Sequence, residues 1–411
     1  MPGAARRPGF VYTLDRMSFT NSCGRRQFVR AAAFATAASY GRILGANDRI
    51  RIGAIGVGSR GQALLGALNQ LDSHEIVALC DIYKPHLITS KAAHAPHAQE
   101  YGDHQEVLDR KDVDAVVIAT PDHWHVPILL DALQAGKDVY CEKPVTHSAA
   151  QGDVLIAAVR AGKSVVQIGL QQRSWEHFAQ ARDEIAAGRL GQVTLIRTYW
   201  YQNHLGSARP GNFDTSKLDW KRFLGTMAER PFDADQYANW RWYWDFGGGA
   251  MTDLFVHWVD VAHWYMGADM PERATANGIT AILTKRQPPD TMRAALAYPG
   301  HAIVEFDCAL LGYIEGGGLM IRGTKAAMRL WRGGFSVYQE FPRYSEKPDP
   351  ANPILEVTSK VDGTVTHMKN FLDCVASRKA TNAPIEVGVS AARAGHIANL
   401  ALRGNGVWQR A

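Results

Sequence analysis

The sequence predicts an α/β protein of two domains that follow one another along the chain. A short apolar stretch at 50–55 is followed at once by a glycine-rich loop and then by a helical pattern. From there to about residue 168, short apolar strands alternate with helices, which is typical of a parallel sheet covered on both faces. After Gly169, runs of strands follow a helix, which indicates an α+β domain with a large, mainly antiparallel open sheet. We therefore expect domains over 47–168 and 169–411.

The glycine-rich loop has the spacing of a dinucleotide-binding fingerprint, Gly56-x-Gly58-x-x-Gly61. Gly56 permits the tight turn, Gly58 lets the backbone approach a pyrophosphate, and Gly61 lets helix and strand pack closely. The following helix would present free N–H groups to the phosphates. A second apolar strand ends in Asp81, where a carboxylate accepts hydrogen bonds from ribose hydroxyls. The first domain is therefore predicted to be a Rossmann domain whose dinucleotide contacts include Gly56, Gly58, Ser59, Arg60, Gly61 and Asp81.

Asp81 also bears on the choice between NAD and NADP. Its carboxylate would repel the additional phosphate of NADP, and the next two residues, Ile82 and Tyr83, are not arginines. Arg60, inside the loop, could offset part of this repulsion. The sequence therefore favours NAD over NADP.

The remaining elements are predicted from apolar runs and helical periodicity. Further strands are expected at 76–80, 115–119, 138–141, 164–168, 193–200, 273–283, 291–297, 302–306, 319–321 and 327–330. Helices are expected at 126–135, 149–161, 176–187, 251–266, 368–377 and 389–403. The stretch 201–249 is irregular and rich in aromatic residues, glycine and proline.

The composition is that of a globular protein, with 46% hydrophobic and 21% charged residues. No apolar run reaches the ~18 residues that a membrane span requires. The formal net charge of +5 is concentrated in residues 1–46, which hold seven arginines and one acid. Because the rest of the chain has no basic excess, no nucleic-acid partner is expected. No membrane span is expected either, because no apolar run is long enough.

Residues 1–46 are predicted to lie outside the fold. The paired Arg25 and Arg26, Phe28 two positions on, and a mildly apolar run at 31–38 resemble a twin-arginine export signal. The alternatives are a basic tail without fixed structure and a start at Met17, which would leave the signal intact. Because twin-arginine export carries folded proteins, the prediction is a periplasmic protein that keeps its cofactor tightly bound.

Four cysteines follow this segment, and none has a Cys-x-x-Cys spacing. Two of them lie within apolar strand runs. All four are therefore expected to be buried as small hydrophobic residues: Cys80, Cys141, Cys308 and Cys374.

Three polar residues are candidates for chemistry. Asp253 and His257 lie four residues apart in the predicted helix 251–266, so their side chains would share one face. A neutral imidazole accepts a hydroxyl proton near pH 7, and a carboxylate one turn away can fix its tautomer. Lys143 follows a strand and precedes Pro144, which fixes the local turn. Taken alone, an Asp–His pair on a helix surface and a solvated loop lysine would also explain these residues.

The order of these motifs resembles the Gfo/Idh/MocA oxidoreductases, a family that includes glucose–fructose oxidoreductase and inositol dehydrogenases. The resemblance covers roughly residues 50–405. It rests on the glycine loop, on Asp81, and on the segments Thr120-Pro121, Glu142-Lys143-Pro144 and Gly247-Gly248-Gly249-x-x-x-Asp253-x-x-x-His257-x-x-Asp260. With its export signal, the chain is similar to the exported branch of the family. It departs at Asp122-His123, where many members have asparagine after Thr-Pro.

The resemblance implies an NAD(P)-dependent oxidoreductase that transfers a hydride between a carbinol of a sugar, glycoside or polyol and a nicotinamide. In such a site His257 takes the hydroxyl proton, Asp253 orients His257, and Lys143 donates a hydrogen bond to the developing alkoxide. The resemblance also implies a homo-oligomer, either a dimer or a tetramer. Further cofactor contacts are expected from Thr120, Pro121, His125, Glu142 and Lys143.

One face of the predicted helix 251–266 carries four polar residues: Asp253, His257, Asp260 and His263. Their side chains could also ligate zinc or manganese. Such stripes are more often polar helix faces, and no metal is expected. The substrate contacts expected are Gln171, Arg173, Trp240, Arg241 and His263. The aromatic run 240–244 is either a platform for a sugar ring or a core or intersubunit cluster.

Two other functions would use the same parts. In the first, transient oxidation of a glycoside acidifies a neighbouring C–H, a leaving group is eliminated and the hydride is returned, so that the glycoside is cleaved without net redox change. The intact Lys143 favours plain oxidoreduction. In the second, the protein holds a cofactor without turnover and serves in binding. The complete set of Lys143, Asp253 and His257 argues against it.

Overall fold

The computed structural model describes residues 49–205, 213–343, 345–404 and 406–409. These residues form two sheets with helices packed against them. The predicted export signal in segment 1–46 lies outside the described residues.

The first sheet confirms the predicted Rossmann domain. Its six strands are all parallel, in the order β3-β2-β1-β4-β5-β6. The strands are β1 (Ile50–Ile55), β2 (His74–Cys80), β3 (Gln99–Tyr101), β4 (Ala115–Ile118), β5 (Asp138–Cys141) and β6 (Val166–Ile168). The helices between them are α1 (Ser59–Leu68), α2 (Lys84–His94), α3 (His104–Leu108), α4 (Asp122–Gln134) and α5 (Gln151–Ala161). Because helices cover both faces, β4 and β5 are buried along their whole length.

The second sheet confirms the large, mainly antiparallel sheet expected after Gly169. Its nine strands run in the order β14-β13-β12-β11-β7-β10-β9-β8-β15, and β7 and β10 are the one parallel pair among these described strands. The strands are β7 (Val193–Tyr201), β8 (Arg273–Ile279), β9 (Thr291–Ala297), β10 (Ile303–Ala309), β11 (Gly317–Gly323), β12 (Ala326–Trp331), β13 (Gly334–Gln339), β14 (Leu355–Thr358) and β15 (Val407–Gln409). Helix α6 (Glu176–Ala186) leads into this sheet.

The predicted helix 251–266 is interrupted. It consists of α9 (Gly249–Asp253) and α10 (Phe255–Met266), which are separated by Leu254 with φ −107° and ψ −48°. Helix α10 packs on the second sheet, where Phe255 stacks on Phe306 with ring centroids 4.9 Å apart. The break places Asp253 and His257 on different helices.

The last long helices return to the first domain. Helix α11 (Gly363–Ser377) packs against α1, and its Met368, Phe371 and Leu372 belong to the same buried apolar cluster as Leu64 and Leu65. Helix α12 (Ile385–Arg403) packs against both α5 and α10. The C-terminal part of the chain therefore completes the core of the nucleotide domain, while the predicted boundary at 168/169 stays a prediction.

The irregular stretch includes a segment that reaches back to the first sheet. We call residues 213–246 the covering segment; it contains α7 (Trp220–Leu224) and α8 (Ala234–Ala238). Leu218 forms a β-bridge with Tyr83, and the Asp219 N–H donates to the carbonyl of Ile82 at 3.0 Å. The covering segment is thereby attached to the loop that follows β2.

Two further expectations concern the described residues. The four cysteines after residue 46 are buried and free, as predicted. None of the helices in the described ranges is both long and apolar enough to cross a bilayer.

Candidate active site

Two adjoining cavities lie at the carboxyl ends of the parallel strands. The first, about 340 Å³, follows the glycine loop between β1 and α1; we call it the nucleotide groove. The second, about 460 Å³, lies between the ends of β4 and β5 and the helices α9 and α10; we call it the reaction cavity. The residues that border both are Arg60, Ala119, Thr120, Trp240 and Arg241.

In the nucleotide groove the glycine loop has the predicted shape. Gly56 has φ +82°, and a Cβ there would lie 2.7 Å from the carbonyl carbon of Ala119. A Cβ on Gly61 would lie 2.1 Å from the carbonyl oxygen of Gly56. Only glycine permits this close approach of α1 to the loop. Because no side chain caps α1, its first N–H groups are available to a phosphate.

Asp81 lies in the groove just beyond β2. Its Oδ2 accepts a hydrogen bond from the Val57 N–H, and its Oδ1 accepts one from the Tyr83 N–H, both at 2.9 Å. Arg60 does not offset this charge, because its Nη2 lies 2.8 Å from Oε1 of Glu142. A fixed carboxylate therefore remains to repel the additional phosphate of NADP.

The groove fits NAD. The hydroxyl Oγ1 of Thr120 is buried without a hydrogen-bond partner in the part of the chain that the structure describes. A ligand in the groove would satisfy it. Pro121 lines the groove beside it. With the free amides of α1 and the carboxylate of Asp81, these groups suit the pyrophosphate and ribose of a dinucleotide.

Replacing Asp81 with alanine is expected to weaken NAD binding about tenfold or more, because charge-assisted hydrogen bonds to the ribose are lost. The difference between the affinities for NAD and NADP should narrow. Titration of nucleotide-free protein with each cofactor measures both effects. Asp81→Asn is the control that removes the charge and keeps the shape. A wild-type protein that prefers NADP would contradict the assignment.

In the reaction cavity, Lys143 and Asp253 form an ion pair. The Lys143 Nζ donates to Oδ1 of Asp253 at 2.6 Å and to its backbone carbonyl at 2.8 Å. The Arg241 Nε donates to the same Oδ1 at 3.2 Å. Burial alone would raise the pKa of Asp253, but Lys143 and Arg241 outweigh it and lower the pKa, so the group stays ionised. Two acceptors thus hold the ammonium, whose third proton is available to a ligand.

His257 lies in the same cavity and is 8% exposed. Its imidazole stacks on Trp200 with ring centroids 5.9 Å apart. Its Nδ1 is buried with no hydrogen-bond partner among the described residues. Burial, together with the cations Lys143 and Arg332, lowers the pKa of His257 well below its usual value. The imidazole is therefore neutral near pH 7 and can accept a proton.

The structure corrects the predicted role of Asp253. Its carboxylate bonds to Lys143 and Arg241, and over the described ranges no hydrogen bond joins it to His257. The interruption at Leu254 is the reason, because a spacing of four residues places side chains on one face only within a continuous helix. Asp253 therefore orients Lys143.

Glu142 lies on the floor of the reaction cavity. Its Oε1 accepts hydrogen bonds from Arg60 Nε and Gln171 Nε2, both at 2.9 Å. Burial alone would raise the pKa of Glu142, but Arg60 and Lys143 outweigh it and lower the pKa. The ionised carboxylate thus fixes Arg60 where the two cavities meet. Gln171, predicted as a substrate contact, lines the reaction cavity.

Two predicted substrate contacts, Arg173 and His263, are wrong. Arg173 forms a buried ion pair with Asp260, with Nη2 2.8 Å from Oδ1. The ring nitrogens of His263 lie 2.7 Å from the Tyr298 hydroxyl and 2.8 Å from the Ser390 hydroxyl. Neither is among the described residues that line the two cavities. Arg173 lies in the turn Gln171–Ser174 and reaches Asp260 of α10, while His263 lies on α10 itself, past the reaction cavity. Both stabilise the packing there.

The same contacts involve two of the four residues considered as metal ligands, Asp260 and His263. Asp260 is neutralised by Arg173, and His263 is hydrogen-bonded at both nitrogens. Across the described ranges, no three His, Cys, Asp or Glu side chains are placed to hold a metal ion.

Trp240 and Arg241 line both cavities, and the Arg241 guanidinium lies 4.2 Å from the Trp240 ring centroid. The rest of the aromatic run points elsewhere. Trp242 is buried beneath Arg286, and Trp244 packs under Arg403. The run is therefore partly a cavity wall and partly core.

The segment after Thr120 contributes a second carboxyl group. Asp122 is 3% exposed and lines the reaction cavity. Burial raises the pKa of Asp122 well above its usual value, which favours its protonated form. His125, predicted as a cofactor contact, lies 2.7 Å from the Pro144 carbonyl and 2.9 Å from the Thr120 carbonyl. It ties the Lys143 loop to the Thr120 loop.

Sequence reasoning misses three further cavity residues, Trp175, Trp200 and Arg332. Arg332 lies in the two-residue turn between β12 and β13, far along the chain from every motif. Its guanidinium lies 5.1 Å from the Trp200 ring centroid and 6.0 Å from that of Trp175. No local pattern marks these residues, because the fold of the second sheet alone brings them together.

Two family models match the chain. Residues 50–170 match the oxidoreductase family model with an NAD-binding Rossmann fold, and residues 178–329 match the GFO/IDH/MocA C-terminal domain. Together they cover more than half of the chain. The first domain is thus the NAD-binding Rossmann fold of that family.

Curated proteins that are similar to this chain include inositol 2-dehydrogenases. The inositol 2-dehydrogenase of Rhodococcus jostii is 33% identical over 175 residues, which are 42% of this chain and 46% of that protein. The inositol 2-dehydrogenase of Salmonella typhimurium is 26% identical over 222 residues, 54% of this chain and 55% of that protein. The match therefore spans about half the length of these relatives.

Solved structures share the fold. An oxidoreductase domain protein from Kribbella flavida superposes with a TM-score of 0.69 at 20% identity, covering 89% of this chain and 100% of that one. A levoglucosan dehydrogenase in complex with NADH and levoglucosan superposes with a TM-score of 0.68 at 16% identity, covering 88% and 99%. At these identities the likeness concerns the fold.

Proposed function

Because the chain belongs to the Gfo/Idh/MocA oxidoreductase family, we propose that it transfers a hydride between a carbinol carbon of a sugar or polyol and NAD. One observation carries this proposal. Lys143 and Asp253 are 110 residues apart in the chain, yet they meet in one cavity with His257, and that cavity adjoins the nucleotide groove.

Each side chain has a separate part in the reaction. Bound NAD would supply the hydride acceptor. His257, neutral and accessible from the cavity, takes the proton of the substrate hydroxyl. Lys143 donates a hydrogen bond to the oxygen as negative charge develops there, and Asp253 holds the ammonium in position before the reaction begins.

The covering segment supports tight retention of the nucleotide. Phe213, Phe223 and Tyr237 of this segment line the nucleotide groove. The segment is attached to the loop after β2, where the Asp214 N–H donates to the Tyr83 hydroxyl at 3.3 Å. These contacts place part of the covering segment against a bound dinucleotide and so favour its retention.

Purification without added nucleotide tests the proposal. NAD should remain with the protein and be identified after denaturation, and sugars or polyols should reduce it, which is followed by the absorbance of NADH. A protein that retains no dinucleotide and forms no NADH with any sugar or polyol when NAD is supplied would contradict the proposal.

A second candidate is cleavage of a glycoside through transient oxidation. Elimination needs an acid for the departing oxygen. The carboxyl of Asp122 lines the reaction cavity and has a pKa raised by burial, which supports this candidate. Aryl glycosides distinguish the two functions. Release of the aryl alcohol without accumulation of NADH, lost in Asp122→Asn, would favour cleavage.

For location and assembly we propose export by the twin-arginine pathway and a homo-oligomer of two or four chains, both on the grounds given from the sequence. Replacing Arg25 and Arg26 together with lysine should trap the protein in the cytoplasm, because paired arginines characterise the signal. Cell fractionation measures this. Replacement of Arg6 and Arg7 is the control, and unimpaired export of the Arg25/Arg26 variant would contradict the proposal.

A further inference from the structure

The reaction cavity holds one cation that stands apart from the others. Arg60 pairs with Glu142, while Lys143 and Arg241 both pair with Asp253. Arg332 lines the same cavity, and within the described residues no carboxylate lies at ion-pair distance from it. A positive charge that faces the cavity is therefore left without a partner.

Asp362, an acid that lines the same cavity, forms no ion pair with Arg332 among the described residues. Asp362 lies close enough to affect the charge of Arg332, but its Oδ1 accepts the Thr364 N–H at 2.8 Å and caps α11. The other carboxyl group that lines the cavity without an ion pair is Asp122, and burial raises its pKa, which disfavours a negative charge there. Desolvation and the neighbouring Arg60 lower the pKa of Arg332, and together they outweigh the opposite effect of Asp362.

The guanidinium is nevertheless held in place. It lies over the rings of Trp200 and Trp175, contacts that orient a planar cation without neutralising it. Trp175 is itself fixed by α11, because a Cβ on Gly363 would lie 0.9 Å from its Cδ1. Arg332 is thus arranged in advance for a planar anion, which a guanidinium binds through two parallel hydrogen bonds.

The position of Arg332 would place such an anion near the group that reacts with the substrate carbinol, His257. Trp200 contacts both Arg332 and the imidazole of His257. Arg332 lines the reaction cavity but not the nucleotide groove, so the anion it would bind is part of the substrate and not the pyrophosphate of the cofactor. The Arg332 guanidinium lies 5.1 Å and the His257 imidazole 5.9 Å from the ring centroid of Trp200, so one substrate in the cavity can contact both groups.

We propose that the substrate is an acidic sugar, a uronic or aldonic acid, whose carboxylate binds Arg332 while a ring or chain hydroxyl faces His257 and Lys143. This inference rests on the proposed function, of which it names the substrate class. A carboxylate, rather than a phosphate, suits one guanidinium, since a phosphate dianion would need more than one cation to balance it.

Matched pairs of sugars test the inference with the NAD-loaded protein. Glucuronate is compared with glucose and galacturonate with galactose, and glucose 6-phosphate is included as the phosphate counterpart. Wild-type kcat/KM should be ~10–100-fold higher for each acid than for its neutral partner, the usual value of charge-assisted hydrogen bonds. Arg332→Gln should raise KM for the acids by a similar factor. KM for the neutral sugars should stay almost unchanged.

Two further variants make the result specific. Arg332→Lys keeps the charge but loses the paired hydrogen bonds, so it should be intermediate. Arg329→Gln is the matched control, because Arg329 also lies over a tryptophan, Trp331, but does not line the cavity. Arg329→Gln should change KM for neither the acids nor the neutral sugars. Binding followed by tryptophan fluorescence should show the same order, since Trp175 and Trp200 flank the site.

The outcomes separate the two proposals. If neutral sugars reduce bound NAD as well as their acids do, or if Arg332→Gln affects both alike, the acidic-substrate inference is wrong and the oxidoreductase proposal stands. Preference for glucose 6-phosphate would overturn the carboxylate assignment. If no sugar of any class reduces the bound NAD, the proposed function fails and the inference fails with it.

Discussion

Replacing His257 with alanine is expected to slow hydride transfer by ~10²–10⁴-fold, the usual contribution of a general base. The neutral imidazole in the reaction cavity is the group placed to take the hydroxyl proton, and alanine has no group to replace it. Affinity for NAD should hardly change, because His257 does not line the nucleotide groove. Single-turnover reduction of bound NAD, followed by absorbance, separates this chemical step from binding.

The pH dependence of the same experiment gives an independent check. The pKa of His257 is lowered by burial and by Lys143 and Arg332, so the imidazole is already deprotonated near pH 7. The wild-type rate should therefore be constant around neutrality and fall only in acid, as His257 becomes protonated and can no longer accept a proton. His257→Ala should lack this acid limb. A variant that transfers hydride at the wild-type rate would disprove the assignment.

Replacing Lys143 with alanine should be of similar severity, with a loss of ~10²–10³-fold in kcat. The variant removes the hydrogen bond that strengthens as the alkoxide forms. It also leaves Asp253 with Arg241 alone, so that a buried carboxylate faces the reacting oxygen with less compensation. Single-turnover measurements with the NAD-loaded variant report this loss directly.

Lys137 provides a matched control for this variant. It precedes β5, whereas Lys143 follows it, and its Nζ donates to the backbone carbonyls of Arg110 and Val113 at 2.6 and 2.9 Å. Lys137→Met should lower the melting temperature without lowering the rate per folded molecule, because ligands bind at the other end of the strands. A Lys143→Ala variant with the activity of wild type would rule out the proposed stabilisation.

The His257 and Lys143 substitutions should not be additive. Both act on one proton and hydride transfer, so the double variant should lose far less than the product of the two single losses. Additive losses would instead indicate that the two side chains serve separate steps.

Local patterns were sufficient for the Rossmann domain, and the reason is physical. The glycine loop, Asp81 and Lys143 all lie directly at the ends of apolar strands, and the carboxyl ends of parallel strands meet at one edge of the sheet. Sequence position alone therefore indicates that these residues are neighbours. The predicted second sheet follows in the same way from runs of apolar strands.

The part of the reaction cavity that α9, α10 and the second sheet form could not be predicted in this way. Helical spacing suggested that Asp253 faces His257, but the interruption at Leu254 depends on how α9 and α10 pack and not on any residue that forbids a helix. Arg173 is assigned to the substrate from its place just after the last strand of the first domain, and His263 from its place on the predicted helix face of Asp253 and His257. Asp260 and Tyr298 become their partners only in the folded chain.

The docking of α11 on α1 determines when the nucleotide domain can be completed during synthesis. Met368, Phe371 and Leu372 fill an apolar surface that includes Leu64 and Leu65, residues made near the beginning of the chain. Until residue 377 has left the ribosome, that surface is exposed and open to aggregation or to a chaperone. The nascent domain therefore cannot finish folding as its own strands emerge. The chain must be made as far as α11 before the first domain reaches the compact form that would hold a dinucleotide.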